Sequence, residues 1–177
     1  MSNIWNRPLI KKYGKVMAFK DLPMGAKMAM AWYMAVDGEA WALPKNWTRG
    51  GNGEWSEKLQ EHAKKQLAKN MDYFDKEYGK KKFGLAMVPR EEVEAIMFKG
   101  LQWRAKSEGA PSYTSFSAWL KAYTEDYSGG IPNHKTADYP SIFGDFKDDL
   151  LLQDGWHRFA CYCKKKVKVL PFIYYLK

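Results

Sequence analysis

The chain has 177 residues, of which 46% are hydrophobic and 16% aromatic, and it carries a net charge of +9 at pH 7. This composition excludes intrinsic disorder, because the chain has ample apolar surface to bury, and the length suits one domain with room for an insertion. No apolar run has membrane-spanning length and no leader-like segment begins the sequence, so we expect a soluble, cytoplasmic protein.

The positive charge is concentrated in the N-terminal half. Residues 1–90 contain 17 Lys and Arg against 9 Asp and Glu, whereas residues 91–177 contain 12 against 11. Such a field suits phosphates, nucleic acid or an acidic host protein as partners. A generally lysine-rich, solvated surface explains the same numbers equally well.

The first half predicts one short strand and two helices. Alternating residues favour a strand over Lys12–Phe19, and Ala26–Val36 favours a helix that Asp37-Gly38 ends. Over Ser56–Tyr78, apolar residues recur at steps of three and four, which predicts one long helix. Its lysines lie mostly off the apolar face, as on a solvated surface: Lys58, Lys64, Lys65 and Lys69.

The second half predicts alternating strands and helices. Phe83–Pro89 is a strand candidate, and a helix then begins with Pro89 at its first position and Glu91 and Glu92 in its first turn. Another helix is predicted over Phe116–Tyr127, and "YPSIFGDF" holds a short extended segment.

The last part of the chain predicts strand, cluster, helix and strand. Leu150–Leu152 is typical of a buried strand, which Asp154 and Gly155 break. "WHRFACYCKKK" then predicts a helix and Val167–Tyr175 a returning strand.

These elements together indicate an α+β fold, with a small mixed sheet and packed helices. We predict a core over residues 83–177 and a basic, largely helical N-terminal region over residues 1–82.

The cluster at the last strand–helix junction has the chemistry of a phosphate site. Gly155 lets the backbone approach a ligand, and the amides of Trp156, His157 and Arg158 would lie unpaired at a helix start, which favours anions. The Arg158 guanidinium matches phosphate oxygens, and His157 adds a donor or proton carrier. Asp154 suits a metal or a proton, so the set points to a nucleotide with Mg²⁺.

A purely structural role for this cluster is an equal alternative. Asp154 then caps the helix with its carboxylate on the first-turn amides, and His157 and Arg158 are surface residues.

The stretch of residues 148–175 resembles the ParB/sulfiredoxin-like superfamily. The hallmark is a strand, a Gly-x-(His/Arg)-Arg box at a helix start, a short helix and a closing strand with a proline. Here these are "DLLLQ", "GWHR", "FACYCKKK" and "VKVLPFIYY", with Pro171 in the expected place. The resemblance is weaker over residues 83–147, and residues 1–80 are not covered.

The resemblance implies nucleotide binding by the box, with chemistry that differs between branches. In sulfiredoxins the residue before His-Arg is the catalytic Cys, and Trp156 stands there, which argues against sulfinic-acid reductase activity. Cys161 and Cys163 lie further into the predicted helix and do not replace it. The chromosome-partitioning branch has Gly-Glu-Arg-Arg and a following helix-turn-helix domain; this chain lacks that Glu, and we expect no such domain before Lys177.

The box of the free serine kinase branch, Asp-Gly-x-His-Arg, is the most similar. Asp154 and His157 match it residue by residue, and in that branch they lie with the transferred phosphoryl group. The resemblance therefore implies phosphoryl transfer or nucleoside triphosphate hydrolysis, with ATP or another triphosphate and Mg²⁺. Some compact members of the superfamily act as nucleases, so nuclease activity stays an alternative. Asp154 and His157 would be catalytic, Asp154 would also bind the metal, and the nucleotide would contact Gly155, Trp156, His157 and Arg158.

Other residues carry weaker signals. His62 reads as solvated, whereas His134 could approach the box. A run of Asp145, Asp148 and Asp149 could help to hold Mg²⁺, although a solvated turn is the commoner explanation.

Both cysteines, Cys161 and Cys163, are expected to be reduced, because one residue between them is poor spacing for a disulfide. The lysines that follow could lower a thiol pKa, but cysteine is more often buried.

The loop "WALPKNWTRGGNGEW" interleaves aromatic and basic residues. Such a pattern suits single-stranded nucleic acid, in which bases stack on Trp41, Trp47 and Trp55 while Lys45 and Arg49 meet phosphates. Packing of the tryptophans at the edge of the core is the favoured explanation.

Two functions are therefore predicted. The first is a nucleotide-binding enzyme that uses the box. The alternative is a non-catalytic interaction protein, of the kind that phages and plasmids encode, which binds nucleic acid or a host protein through its basic N-terminal half.

Overall fold

The computed structural model describes the following residues: 8–33, 65–126, 140–143 and 152–175. Their contacts divide the chain into two compact units. The sheet unit comprises residues 8–17 and the described residues from Lys82 onward, and the helical unit comprises the described residues from Ala18 to Lys81.

The sheet unit contains the five strands that the described residues form. Its elements in chain order are α1 (Pro8–Tyr13), β1 (Gly14–Ala18), β2 (Lys82–Pro89), α4 (Arg90–Ser107), α5 (Phe116–Asp126), β3 (Ser141–Phe143), β4 (Leu152–Asp154), α6 (Trp156–Lys164) and β5 (Val169–Tyr175). The last residue of β1, Ala18, is the first residue of the helical unit.

The strands form one mixed sheet in the order β1-β2-β5-β3-β4. Strand β5 pairs antiparallel with β2 and parallel with β3, and β4 pairs antiparallel with β3. Pro171 lies in this central strand, opposite Met87. The α+β class and the mixed sheet are therefore confirmed, and the described residues of 83–177 follow the predicted order strand–helix–helix–strand–strand–helix–strand.

One face of the sheet holds the core. Alternate residues of β2 and β5, among them Ala86, Val88, Leu170 and Phe172, are fully buried against the helices. The helices contribute Val93, Met97, Phe116, Trp119, Phe159 and Tyr162. Each fully buried large apolar side chain contributes about 1.5–3 kcal/mol to stability.

Helix α1 is held to the start of α4 by polar contacts. Lys12 Nζ lies 2.6 Å from Glu92 Oε1, and the Tyr13 hydroxyl donates to the same oxygen. Hydrogen bonds from Lys12 and Tyr13 lower the pKa of Glu92, so the carboxylate stays charged at neutral pH. Residues 8–17, which the sequence places in the N-terminal region, thus pack with the C-terminal core.

The helical unit is organised around an aromatic cluster. It contains a 3-10 turn (Phe19–Asp21), α2 (Met24–Ala31), a helical segment over residues 65–69, and α3 (Met71–Glu77). The rings of Phe19, Phe74 and Tyr78 lie 5.7–6.3 Å apart. Lys27 Nζ lies 3.4 Å from Asp75.

The prediction of one uninterrupted helix over Ser56–Tyr78 is wrong at Asn70. That residue has φ −105° and ψ 19°, outside the helical region, and α3 starts after it. Its side-chain amide donates to the Gln66 carbonyl at 2.8 Å, alongside its own backbone N–H. Asparagine competes in this way for the backbone groups of a helix, so it ends one helical segment here. Residues 56–64 lie outside the described part.

Other boundaries differ slightly from the prediction. Strand β1 begins at Gly14, because Lys12 and Tyr13 belong to α1, and β5 begins at Val169 and not at Val167. Pro89 ends β2 and precedes α4, so the helix begins at Arg90 and not at the proline. Helix α2 begins at Met24, two residues before the predicted start, and residues 34–36 of the predicted helix lie outside the described residues. Strand β4 includes Asp154, and Leu150 and Leu151 are not described. Among the described helices, none is long and apolar enough to cross a membrane.

The turn between α6 and β5 holds a lysine in a left-handed conformation. Lys166 has φ +56°, whereas Lys165 has φ −77°. The Lys166 N–H donates to the Cys163 carbonyl and the Val167 N–H to the Tyr162 carbonyl, both at 3.0 Å. These two bonds define a Schellman motif with Lys166 at the position where glycine is usual.

We expect Lys166→Gly to raise the free energy of unfolding by about 1 kcal/mol. The left-handed conformation costs a non-glycine residue about 1–2 kcal/mol, and part of the gain is offset by the freedom of glycine in the unfolded chain. Urea unfolding measures the change. The control Lys165→Gly has no left-handed strain to relieve, so it should lower stability; equal effects at both positions would contradict the explanation.

Candidate functional site

The strand–helix junction of the Asp-Gly-x-His-Arg box is built on Gly155. Strand β4 ends at Asp154, Gly155 adopts φ +86° and ψ 21°, and α6 begins at Trp156. The Gly155 carbonyl accepts the Phe159 N–H at 2.8 Å, which is the first hydrogen bond of the helix. Because Gly155 has no side chain, no side-chain cap from this position covers the first amides of α6.

Ser141 holds this junction against the sheet. Its hydroxyl donates to the Gly155 carbonyl at 3.1 Å, and the residue is 1% exposed. A Cβ on Gly155 would lie 2.9 Å from the Ser141 Cα and 2.8 Å from Arg158 Nη2. Sequence reasoning missed Ser141, because a single serine beside a short apolar segment carries no signal of a partner 14 residues away.

Asp154 and Arg158 form an ion pair across the first turn of α6. Asp154 Oδ2 lies 3.1 Å from Arg158 Nη2, and the two side chains are 26% and 10% exposed. The described partner of Asp154 is thus this guanidinium and not a first-turn amide, which argues against the capping alternative. Arg158 is buried and not a surface residue, and the Asp154 carboxylate balances the charge of its guanidinium.

His157 is partly buried beside an aromatic ring. Its ring centroid lies 5.8 Å from that of Tyr123 on α5. Burial lowers the pKa of His157, the positive charge of Arg158 adds to this, and the Asp154 carboxylate opposes it. At neutral pH the imidazole is therefore uncharged and can donate one hydrogen bond and accept another.

The two cysteines lie in the core. Cys161 and Cys163 are 3% and 4% exposed. Burial raises the pKa of Cys163 to about 12, with Glu94 adding to the effect, despite the lysines that follow in sequence. The idea of a thiolate activated by those lysines is therefore wrong for Cys163.

A cavity of about 320 Å³ opens beside the start of α6. Four aromatic residues line it, namely Tyr113, Trp119, Tyr123 and Trp156, together with Arg104 and apolar residues. The rings of Trp119 and Tyr123 are stacked with centroids 5.1 Å apart, and Trp119 lies 6.0 Å from Trp156. The cavity is at the small end of the usual range for ligand sites, about 300–1,000 Å³.

The cavity and the box are adjacent. Trp156 lines the cavity and is the first residue of α6. Tyr123 also lines the cavity, and its ring packs against His157. Arg104 adds a positive charge, which Glu108 partly balances at 2.9 Å. Sequence reasoning placed Phe116–Tyr127 on a helix but did not identify Tyr113, Trp119 or Tyr123 as neighbours of the box.

A metal site made wholly of protein side chains is not found in the described part of the chain, where no group of three His, Cys, Asp or Glu comes together. Asp154 is the single carboxylate of the box, so the predicted Mg²⁺ site has one protein ligand there. The other predicted candidates lie outside the described residues: His62, His134, Asp145, Asp148, Asp149, and the loop with Trp41, Lys45, Trp47, Arg49 and Trp55.

The lysine-rich helix is partly described. Lys65 and Lys69 are exposed while Leu67 between them is buried, as the sequence predicts. Lys58 and Lys64 lie outside the described residues.

Comparison of the chain with protein-family models, with curated proteins and with solved structures finds no match. The resemblance to the ParB/sulfiredoxin-like superfamily therefore stays a prediction that rests on the box and on its strand–helix–strand context.

We expect Gly155→Ala to lower the free energy of unfolding by about 3 kcal/mol. The alanine backbone must adopt the left-handed conformation, and its methyl group must displace Ser141. Each effect costs about 1–2 kcal/mol. Gly109 is a matched control, because it has φ +66° with nothing within 4 Å of an added Cβ. Gly109→Ala should lose only the backbone share, about 1 kcal/mol. Equal losses on urea unfolding would show that the Ser141 contact has no effect.

We expect His157 to make the protein less stable in mild acid. Since the folded-state pKa lies below the unfolded-state value of about 6.5, the unfolded chain binds the proton more readily. The stability contribution is thus complete above about pH 6.5 and falls as the pH drops towards the lowered folded pKa. Thermal unfolding of wild type and His157→Gln between about pH 7.5 and about pH 5 checks this. An unchanged slope in the variant would contradict it.

Proposed function

We propose that the protein binds a nucleoside triphosphate together with Mg²⁺. The base would lie in the aromatic cavity and the phosphates at the start of α6. The observation that carries this proposal is the 320 Å³ cavity that shares Trp156 with the Asp-Gly-x-His-Arg box. A cavity lined by aromatic residues and the start of a helix, an end that favours anions, lie side by side.

The cavity supports the choice of a planar ring as ligand. Its four aromatic side chains offer ring faces and edges, and base–aromatic stacking is worth about 1–3 kcal/mol per base. Tyr113, Tyr123 and Trp156 are partly exposed, so a ligand can reach them. The volume suits a base and part of a sugar, which leaves the phosphates outside the cavity.

The start of α6 supports the placement of the phosphates. The first amides of a helix lack intrahelical partners, and the helix dipole favours negative charge there. Gly155 has no side chain with which to cap the first amides of α6, and it makes no side-chain cap hydrogen bond.

The negative charge of Asp154 calls for a metal ion beside the phosphates. A bare phosphate would meet the Asp154 carboxylate as well as the amides. Mg²⁺ resolves this conflict, since it typically takes one or two carboxylates plus substrate phosphates. Asp154 is 26% exposed and its pair with Arg158 involves Oδ2, so the carboxylate fits as a single protein ligand.

The reaction we propose for this site is phosphoryl transfer or triphosphate hydrolysis. The bound ion would neutralise phosphate charge. Asp154 would position the ion, and the uncharged His157 would accept or hold a proton at its ring nitrogen. Arg158 would fix the orientation of Asp154 through their ion pair.

The test is calorimetric titration with ATP, CTP and GTP, with and without Mg²⁺. We expect one triphosphate to bind and to bind less tightly when Mg²⁺ is removed. Trp156→Ala should weaken binding by about 5–150-fold, the loss of one stacking contact. Trp103→Ala is the control, because Trp103 is 49% exposed on α4 and does not line the cavity.

Asp154→Asn separates binding from reaction. The amide oxygen can still accept from Arg158, so the fold should be kept, while the negative charge is lost. We expect it to abolish triphosphate hydrolysis or transfer, measured as phosphate release, and to leave metal-free nucleotide binding intact. Failure of every triphosphate to bind wild type, or equal loss in Trp156→Ala and Trp103→Ala, would refute the proposed function.

A further inference from the structure

Four lysines surround the turn between α6 and β5. This lysine turn consists of Lys164, Lys165, Lys166 and Lys168, and all four are exposed. Residues 91–177 contain 12 basic residues in a nearly neutral half of the chain, so a third of them fall within five positions. The surface has no part in the proposed nucleotide site.

The helix dipole explains only part of this cluster. Cations are favoured in the last turn of a helix, which accounts for Lys164 and Lys165. The effect falls off within that turn, so Lys168 in the segment before β5 is not explained. Lys166 is unfavourable on backbone grounds, since its φ of +56° favours glycine. A strained residue at an exposed turn points to a use for its side chain.

The backbone of the turn is well fixed. The two bonds of the Schellman motif hold Lys166 and Val167 to α6, and the Arg90 N–H donates to the Lys168 carbonyl at 2.9 Å. The charges are therefore presented from a defined backbone. Arg90 pairs with Glu94 at 3.3 Å, whereas Lys164, Lys166 and Lys168 have no ion pair with a carboxylate in the described part of the chain.

We infer that the lysine turn binds the phosphate backbone of nucleic acid without reading its sequence. Interfaces with nucleic acid are strongly positive, and lysine acts there as a mobile point charge that displaces counterions. Protein–protein interfaces are depleted in lysine, which disfavours an acidic protein partner. A membrane surface needs an apolar anchor beside the charges, and the turn offers only Val169, which is 39% exposed.

The test is the salt dependence of binding to a short random-sequence DNA duplex, measured by fluorescence anisotropy. We expect the double variant Lys166→Gln, Lys168→Gln to reduce the slope of log K against log salt by about 1.8, since each lysine–phosphate contact contributes about 0.9. The control Lys99→Gln, Lys106→Gln removes the same charge from two exposed positions on α4 and should leave the slope unchanged.

The variant Lys166→Gly separates an effect on DNA binding from an effect on protein stability. This variant is expected to be more stable than wild type and yet to lose about 0.9 of the slope. Trp156→Ala should bind the duplex as wild type does, so failure of the nucleotide site and failure of the lysine turn are distinguishable. An equal loss in the Lys99, Lys106 control, or tighter binding to polyglutamate or to phosphatidylserine vesicles than to DNA, would overturn the inference.

Discussion

The candidate site depends on the close approach of Gly155 to Ser141. One carbonyl oxygen, that of Gly155, accepts both the first hydrogen bond of α6 and the hydroxyl of Ser141. A side chain at Gly155 would collide with the backbone of β3 and with the Arg158 guanidinium. Because this contact sets where α6 begins, it also sets where Trp156, His157 and Arg158 lie.

From that point α6 serves two purposes. Its buried side supplies Phe159 and Tyr162 to the core, and its first turn presents Trp156 and His157 to the aromatic residues of α5. The Asp154–Arg158 pair couples the end of β4 to the same turn. Core packing and site geometry are thus produced by one helix, so changes that loosen the core at Phe159 should also disturb the cavity. The other end of α6 carries the lysine turn, which the Schellman motif fixes through backbone bonds alone.

Much of the fold could be predicted because the signals were local. The Gly155 break, Glu91 and Glu92 in the first turn of α4, and the apolar β2 and β5 segments depend on neighbours in sequence, and all are present in the structure. The break at Asn70 could not be predicted from periodicity. Apolar spacing carries no information about a side chain that competes for backbone hydrogen bonds. The packing of residues 8–17 with the core involves contacts between residues far apart in sequence, such as Lys12 with Glu92, 80 positions away, which no local pattern reports.

The sequence by itself determined the α+β class, the box from Asp154 to Arg158, and the excess of positive charge, because each follows from residue type and spacing. Only the tertiary structure decided that Arg158 pairs with Asp154 inside the protein, that burial lowers the pKa of His157, and that Tyr113, Trp119 and Tyr123 line a cavity beside Trp156. Burial, and the distance between residues far apart in sequence, are properties of the packed chain. They arise when α5, the preceding loop and α6 meet on one face of the sheet, so the order of residues alone does not fix them.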